Sequence, residues 1–438
     1  MRGHARSVVA LLLLVGACTG GAAPSSTPTP VSTAPSVAPA RGSVTAAEAL
    51  ETLCVYPEPI DTSGSAGAQA SPANVHEVIA QVEDLRGLRF KRPVRVEVLS
   101  PEELVRGLRA LYSASVPQDL YERRSLAWQT IGVIQRGTDI SEVFRTFGPV
   151  DVIGYYLPGQ DVLRVVGTDG ESAFERFVLS HELTHALDDQ HFDLQSLDRL
   201  TRSCRDDEQM AASAVVEGNA TLMMYRWAAQ VLPAGQIPSP ETILPRDAIP
   251  EKGHPPLFMG LLGGFPYIDG SAFIDAIRRR GGQEAVDRVF EEPPVSTEQV
   301  IHPRKYPDDV PRLVDVADLA PALGEGWSDL DVQDVGEAWL RALMETRAER
   351  QTVELATEGW DGGLYRAWSK DDEVAVVMAT VWDDHQQAVE FAVRLDDWVD
   401  PRRHAEVLPT EGDEVTVLFA SDASTLKLLE AAFGEPTG

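Results

Sequence analysis

The feature that most constrains this chain is His181-Glu182-Leu183-Thr184-His185, inside the run from Phe174 to His191. On an α-helix, residues i and i+4 stack on one face. Two imidazoles so placed can close on one Zn²⁺ at about 2.0–2.1 Å each. The residue after the first histidine then faces the open side of the metal, where a carboxylate can take a proton from bound water. This meaning requires a helix, and the local sequence predicts one. From Glu171 to Leu187 there is no proline or glycine, and most residues are good helix formers. Thr168, Asp169 and Ser172 offer N-caps and Glu171 suits a first turn. Phe174, Phe177, Val178, His181 and His185 fall on one stripe, so the histidines continue an apolar, inward-facing side. A hydrogen-bonded pair of core histidines is the plainer alternative, and the helical context favours the metal.

A catalytic zinc site needs a third protein ligand and an open position. Glu217 is the first candidate. It lies in a stretch, 206–227, that reads as a long apolar helix with an acidic start. Its neighbours Val215, Val216, Ala220 and Leu222 make an unpaired carboxylate expensive there. It shares a face with Met210, Ala214, Thr221 and Met224, and Gly218 is expected to let the two helices approach closely. The second candidate is His191, further along the same segment, on the resemblance given next. Asp188 and Asp189 read as partners that orient an imidazole, or as surface charge at the helix end.

Two peptidase families bear on that choice. His181-Glu-x-x-His185-x-x-Asp188-x-x-His191 resembles the metzincin spacing, but Asp188 stands where that family carries glycine, and Met210, Met223 and Met224 all fall in the apparent helix. Glu217, on the buried side of a second helix, resembles the gluzincin arrangement and is preferred. The wider pattern His-Glu-Leu-Thr-His-Ala-Leu-x-Asp-Gln-His-Phe, then Val216-Glu-Gly-x-Ala220 and Pro293 to Tyr306, is similar to a group of bacterial exported or lipoprotein zinc peptidases.

The resemblance implies a zincin-like, two-lobed α+β fold: a small twisted sheet over the active-site helix, and a helical lower lobe. It also implies a zinc peptidase acting on peptide or protein, with His181, His185 and Glu217 on the metal and Glu182 as general base. By the same resemblance, the hairpin at Tyr155–Val166 would pair with extended substrate. His302, Tyr306 and, less well, His254 would be oxyanion-stabilising candidates.

Element by element, helices are expected at 75–86, from Ser100 to about Tyr112, and at 119–133. A strand is expected at 93–99, and a hairpin from 150–157 and 161–166 around Pro158-Gly-Gln160. Residues 230–256 read as loop, and 270–290 as helix broken at Gly281-Gly282. From Gly324 the texture changes to a small α+β unit: helices at 335–346, 384–399 and 423–433, and strands at 373–382 and 414–419.

The start of the chain carries targeting information. A short basic region, an apolar run Val8–Val15 and Val15-Gly-Ala-Cys18 resemble a bacterial lipobox, with Cys18 as the lipidated residue. No other stretch reads as long and apolar enough to span a bilayer. The domain reading is therefore a lipoprotein signal peptide at 1–18, and a Ser/Thr/Pro/Ala-rich tether with a loose segment at 19–72. A zinc metallopeptidase domain follows at 73–323, then a C-terminal α+β accessory unit at 324–438. The expected location is the outer face of the bacterial cytoplasmic membrane. With Cys18 lipidated, Cys54 and Cys204 remain as an even pair in an oxidising space and are expected to form a disulfide. A net charge of −30 argues against nucleic-acid partners and anionic membrane patches. Two other functions fit the same residues: a non-catalytic surface lipoprotein with a structural metal, and a zinc amidase acting on cell-wall cross-links.

Overall fold

The structure is a computed structural model that describes residues 44–56, 73–115, 117–147, 154–158, 161–166, 172–239, 255–399 and 404–434. The signal peptide with Cys18, the strand positions 150–153, the cap candidates Thr168 and Asp169, the first-turn Glu171, and His254 lie outside them. The chain is mixed α+β, with two small sheets among the described residues.

Helix formation at the motif follows the expected signals. The Ser172 hydroxyl accepts from the Glu175 N–H at 3.0 Å, and the helix runs Ala173–Phe192. In chain order it is α6, after α1 (Ala46–Leu53), α2 (Ala73–Arg86), α3 (Pro101–Ser115), α4 (Gln118–Ile131) and α5 (Ile140–Phe147). It outlasts the predicted end because Asp188, Asp189 and Gln190 are all buried and partnered: Gln190 accepts from the Lys91 N–H at 2.8 Å, and the two aspartates are treated below. A three-stranded sheet covers it: β1 (Arg95–Leu99), β2 (Gly154–Leu157) and β3 (Val162–Val166), in the order β1-β3-β2. β1 runs parallel to β3, and β2 antiparallel to it with Tyr156 opposite Leu163, so β2 is an edge. Alternation sorts the two faces. Val96, Tyr156 and Leu163 pack with Phe177, Leu183 and Leu187 of α6. Tyr155 and Leu157 turn the other way, onto Leu104 and Leu108 of α3.

After the short α7 (Asp198–Arg202), α8 (Asp206–Val231) packs against α6, and α9 (Leu257–Glu291) packs against α8. Gly218 does not serve the α6–α8 contact expected of it. A Cβ at Gly218 would stand 2.2 Å from the carbonyl carbon of Gly270, so it admits α9 instead. α9 begins at Leu257, well before the predicted Gly270; Gly260, Gly263, Gly264 and Pro266 weaken the helical signal there. Its backbone breaks at Gly281-Gly282, as expected. By length and composition α9 could cross a bilayer, contrary to the sequence reading. Here Phe265, Phe273, Ile274 and Ile277 share a core with Val215 and Val216 of α8.

Past α10 (Thr297–Ile301) and α11 (Ala320–Leu323) comes a five-stranded antiparallel sheet. Its strands are β4 (Ser328–Asp334), β5 (Trp360–Lys370), β6 (Glu373–Trp382), β7 (His404–Val407) and β8 (Glu414–Ala420), in the order β4-β5-β6-β8-β7. Its helices are α12 (Glu337–Glu345), α13 (Arg350–Thr357), α14 (His385–Trp398) and α15 (Ala423–Gly434). β6, β8 and the helices expected at 335–346, 384–399 and 423–433 fall within a few residues of the reading; β4, β5, β7 and α13 were not anticipated.

The boundary at 323/324 does not divide the packing. Ala127, Trp128 and Ile131 of α4 and Ile140 of α5 share one core with Trp339, Tyr365, Phe391 and Val417. The indole N–H of Trp128 donates to Gln333 of β4 at 3.0 Å. These helices, assigned by sequence to the peptidase domain, cover the C-terminal sheet. Within 19–72, α1 is ordered by a Thr45–Glu48 capping box. Ala46 and Ala49 pack on Val332 of β4, and Cys54 is bonded to Cys204 just ahead of α8. The expected disulfide is present.

Candidate metal centre

The crossing of α6 and α8 brings three ligand atoms together. His181 Nε2 and His185 Nε2 are 2.9 Å apart, and Glu217 Oε2 lies 3.2 Å from the first and 3.3 Å from the second. Among the described residues, this is the group of His, Cys, Asp and Glu arranged to hold a metal ion. Around a tetrahedral ion with bonds of about 2.1 Å, ligand atoms stand about 3.4 Å apart. The triangle is close to that size. Two imidazole nitrogens aimed at one another and at a carboxylate suit a cation between them. All three side chains are buried, and an uncompensated carboxylate at that depth is costly.

The electrostatics agree. Burial pushes the Glu217 carboxyl up, but the two imidazoles outweigh it and bring it to about 2. Burial pushes His185 down, but Glu217 outweighs it and lifts the imidazole to about 9.

Glu182, next to the first ligand, is 2 % exposed. Burial raises its pKa, opposed by both histidines and by a hydrogen bond from the Tyr156 backbone. Its Oε2 makes no hydrogen bond to the described residues, which leaves a lone pair for a water or substrate proton. A Cβ at Gly154 would stand 3.4 Å from Glu182 Cγ, so the edge strand β2 runs directly beside this carboxylate. The Tyr156 hydroxyl also donates to Asp189 at 2.8 Å, fastening β2 to α6.

The other sequence candidates lie elsewhere. His191 Nε2 sits 2.8 Å from the Arg89 carbonyl, outside the triad. His302 pairs with the Glu337 carboxylate at 3.1 Å, and the Tyr306 hydroxyl donates to the Glu292 carbonyl at 2.6 Å. Neither bond belongs to the triad. Asp188 and Asp189 are not surface charge. Asp189 accepts from the Leu194 N–H at 3.0 Å, and Asp188 binds Arg86 and Asn219.

Three residues near the site escaped the sequence reading. Arg86 and Asn219 gave no periodic or motif signal. Tyr267, whose ring lies 6.2 Å from that of His181 and tilted only 22° from it, sits in the unread first half of α9.

Residues 327–430 match a domain family described as a domain of unknown function, DUF8575. The match takes in the C-terminal sheet and its helices as far as residue 430 within α15, and it begins downstream of the triad on α6 and α8. No curated protein and no solved structure matches the chain.

Proposed function

We propose that the chain is a zinc-dependent endopeptidase of the gluzincin type, exported and tethered by lipid at Cys18 to the outer face of the bacterial cytoplasmic membrane. The observation that carries this reading is the pairing of His181, His185 and Glu217 with a buried Glu182 whose Oε2 is unspent. A purely structural zinc site has no use for a general base beside it. The sheet on one side of α6, and α8 with α9 on the other, are consistent with the two lobes of a zincin.

The ligand set fits zinc in donor type and spacing. Zinc, when bound by these residues, polarises a carbonyl and lowers the pKa of its water toward ~7. As water adds to the carbonyl carbon, Glu182 would take its proton on Oε2 and pass it to the amine nitrogen as the C–N bond breaks. Its raised pKa suits both halves of that exchange. The β2 edge beside Glu182 offers backbone groups to an extended peptide.

The test is Glu182→Gln. Turnover of a peptide library should vanish while zinc content stays at the wild-type level. Proteolysis retained by the variant would end the mechanism, and cleavage of cell-wall cross-links without peptides would redirect it to an amidase.

A further inference from the structure

The two ligand-bearing helices share a buried hydrogen bond that the chemistry above does not use. Asn219 Nδ2 donates to Asp188 Oδ2 at 2.6 Å. Asp188 lies one turn beyond His185 on α6, and Asn219 two residues beyond Glu217 on α8; both are buried. The other Asp188 oxygen accepts from Arg86 Nε at 2.7 Å, and Arg86, itself fully buried, reaches Asp287 of α9 at 2.5 Å. Phe192 and Phe290 flank the guanidinium at 5.4 and 5.6 Å. Four helices, α2, α6, α8 and α9, therefore meet in one polar chain.

Burying such a chain carries a desolvation cost, and apolar packing could join these helices without it. A directional bond offers what apolar packing does not: it sets axial position and rotation together. The bond sits within one turn of the ligands on each helix, where a small slide of α8 would carry Glu217 off the histidines. We infer that Asn219 and Asp188, through the bond between them, are positioning residues that set Glu217 against His181 and His185 and so govern metal affinity. This rests on the metal reading proposed above.

The experiment uses the full chain, stripped of metal, as wild type, Asn219→Leu and Asp188→Asn. Zinc affinity is measured by chelator competition well below the melting temperature, and cobalt(II) absorption reports coordination. Asn219→Leu removes the donor. It should weaken zinc about 10- to 100-fold, the usual effect of losing a group behind a metal ligand, and should change the cobalt spectrum. Asp188→Asn unpairs Arg86 but keeps a hydrogen bond to Asn219, since either amide can turn to suit the other. It should lower the metal-free melting temperature at least as much as Asn219→Leu, yet hold zinc within a few-fold of wild type.

Zinc bound by Asn219→Leu as tightly as by wild type, with an unchanged cobalt spectrum, would overturn the positioning role and leave the metal reading intact. So would affinities that merely follow the two melting temperatures. Wild type that takes up neither zinc nor cobalt would remove the metal reading itself, and this inference with it.

Discussion

His181 and Glu217 are 36 residues apart in the chain and 3.2 Å apart in space. The contact is made by neither helix alone. α6 presents the histidine pair on one face through its own periodicity, while α8 presents a lone carboxylate among apolar residues. Replacing Glu217 with alanine should therefore leave two imidazoles and abolish stable zinc binding. His191→Ala should keep the metal, because that ring is engaged with the Arg89 carbonyl. Elemental mass spectrometry should find one zinc per chain in wild type and His191→Ala, and none in Glu217→Ala. The opposite pattern would move the third ligand to His191.

α8 and α9 touch backbone to backbone, and that closeness depends on two glycines. A Cβ at Gly218 would stand 2.2 Å from Gly270 C, and one at Gly270 2.3 Å from the Ala214 carbonyl oxygen. Backbone cannot move aside as a side chain can, so the helices must separate. Gly218→Ala should destabilise by about 3 kcal/mol, at the upper end for overpacking, and weaken zinc by displacing Glu217. Gly260→Ala, on the same α9 but with open space around it, should be neutral or stabilising by up to about 1 kcal/mol. Urea melts of the two variants test the contrast.

Two buried carboxylates at the start of α8 and in α10 make stability depend on pH. Burial pushes Asp207 up to about 7 against its hydrogen bonds from Thr297, with Glu337 and Glu208 adding to the rise. Burial pushes Glu298 up to about 8 against Lys305. Between about pH 4, where unfolded carboxyls lose their protons, and pH 7–8, the folded state holds more protons than the unfolded one. These groups therefore reduce stability as pH rises through that window, each with a slope of up to about 1.4 kcal/mol per pH unit, and the effect levels off above it. Asp207→Asn removes one such group while keeping an acceptor for Thr297. Its stability, followed by urea midpoint from pH 4.5 to 8.5, should fall less steeply than that of wild type. Parallel slopes would refute the assignment.

The Cys54–Cys204 bond closes a loop of 150 residues in sequence separation. It holds α1 beside the N-terminus of α8. Replacing both cysteines with serine should cost about 2–5 kcal/mol, with zinc stoichiometry unchanged because neither sulfur belongs to the triad. Thermal melts with and without reductant measure it: wild type should fall to the level of the double variant, and the variant should ignore the reductant.

What is local or countable was legible in the residues alone. The motif helix follows from uninterrupted helix formers, a serine cap and histidines spaced by one turn. The disulfide was expected from parity, two cysteines remaining once Cys18 is set aside. Glu217 stood out because a lone carboxylate in an apolar helix needs a partner, although sequence left His191 open beside it. Tertiary structure decided how these pieces meet. It turned Gly218 toward α9 rather than α6, and it placed α4 and α5 on the C-terminal sheet, across a boundary that composition had drawn at 323. It also buried Asp188 and Asn219 against each other and against Arg86. The reason is physical: helical period and capping are energies of neighbours along the chain, whereas helix crossings and shared cores are energies of neighbours in space, and a single chain read in order carries no direct record of those.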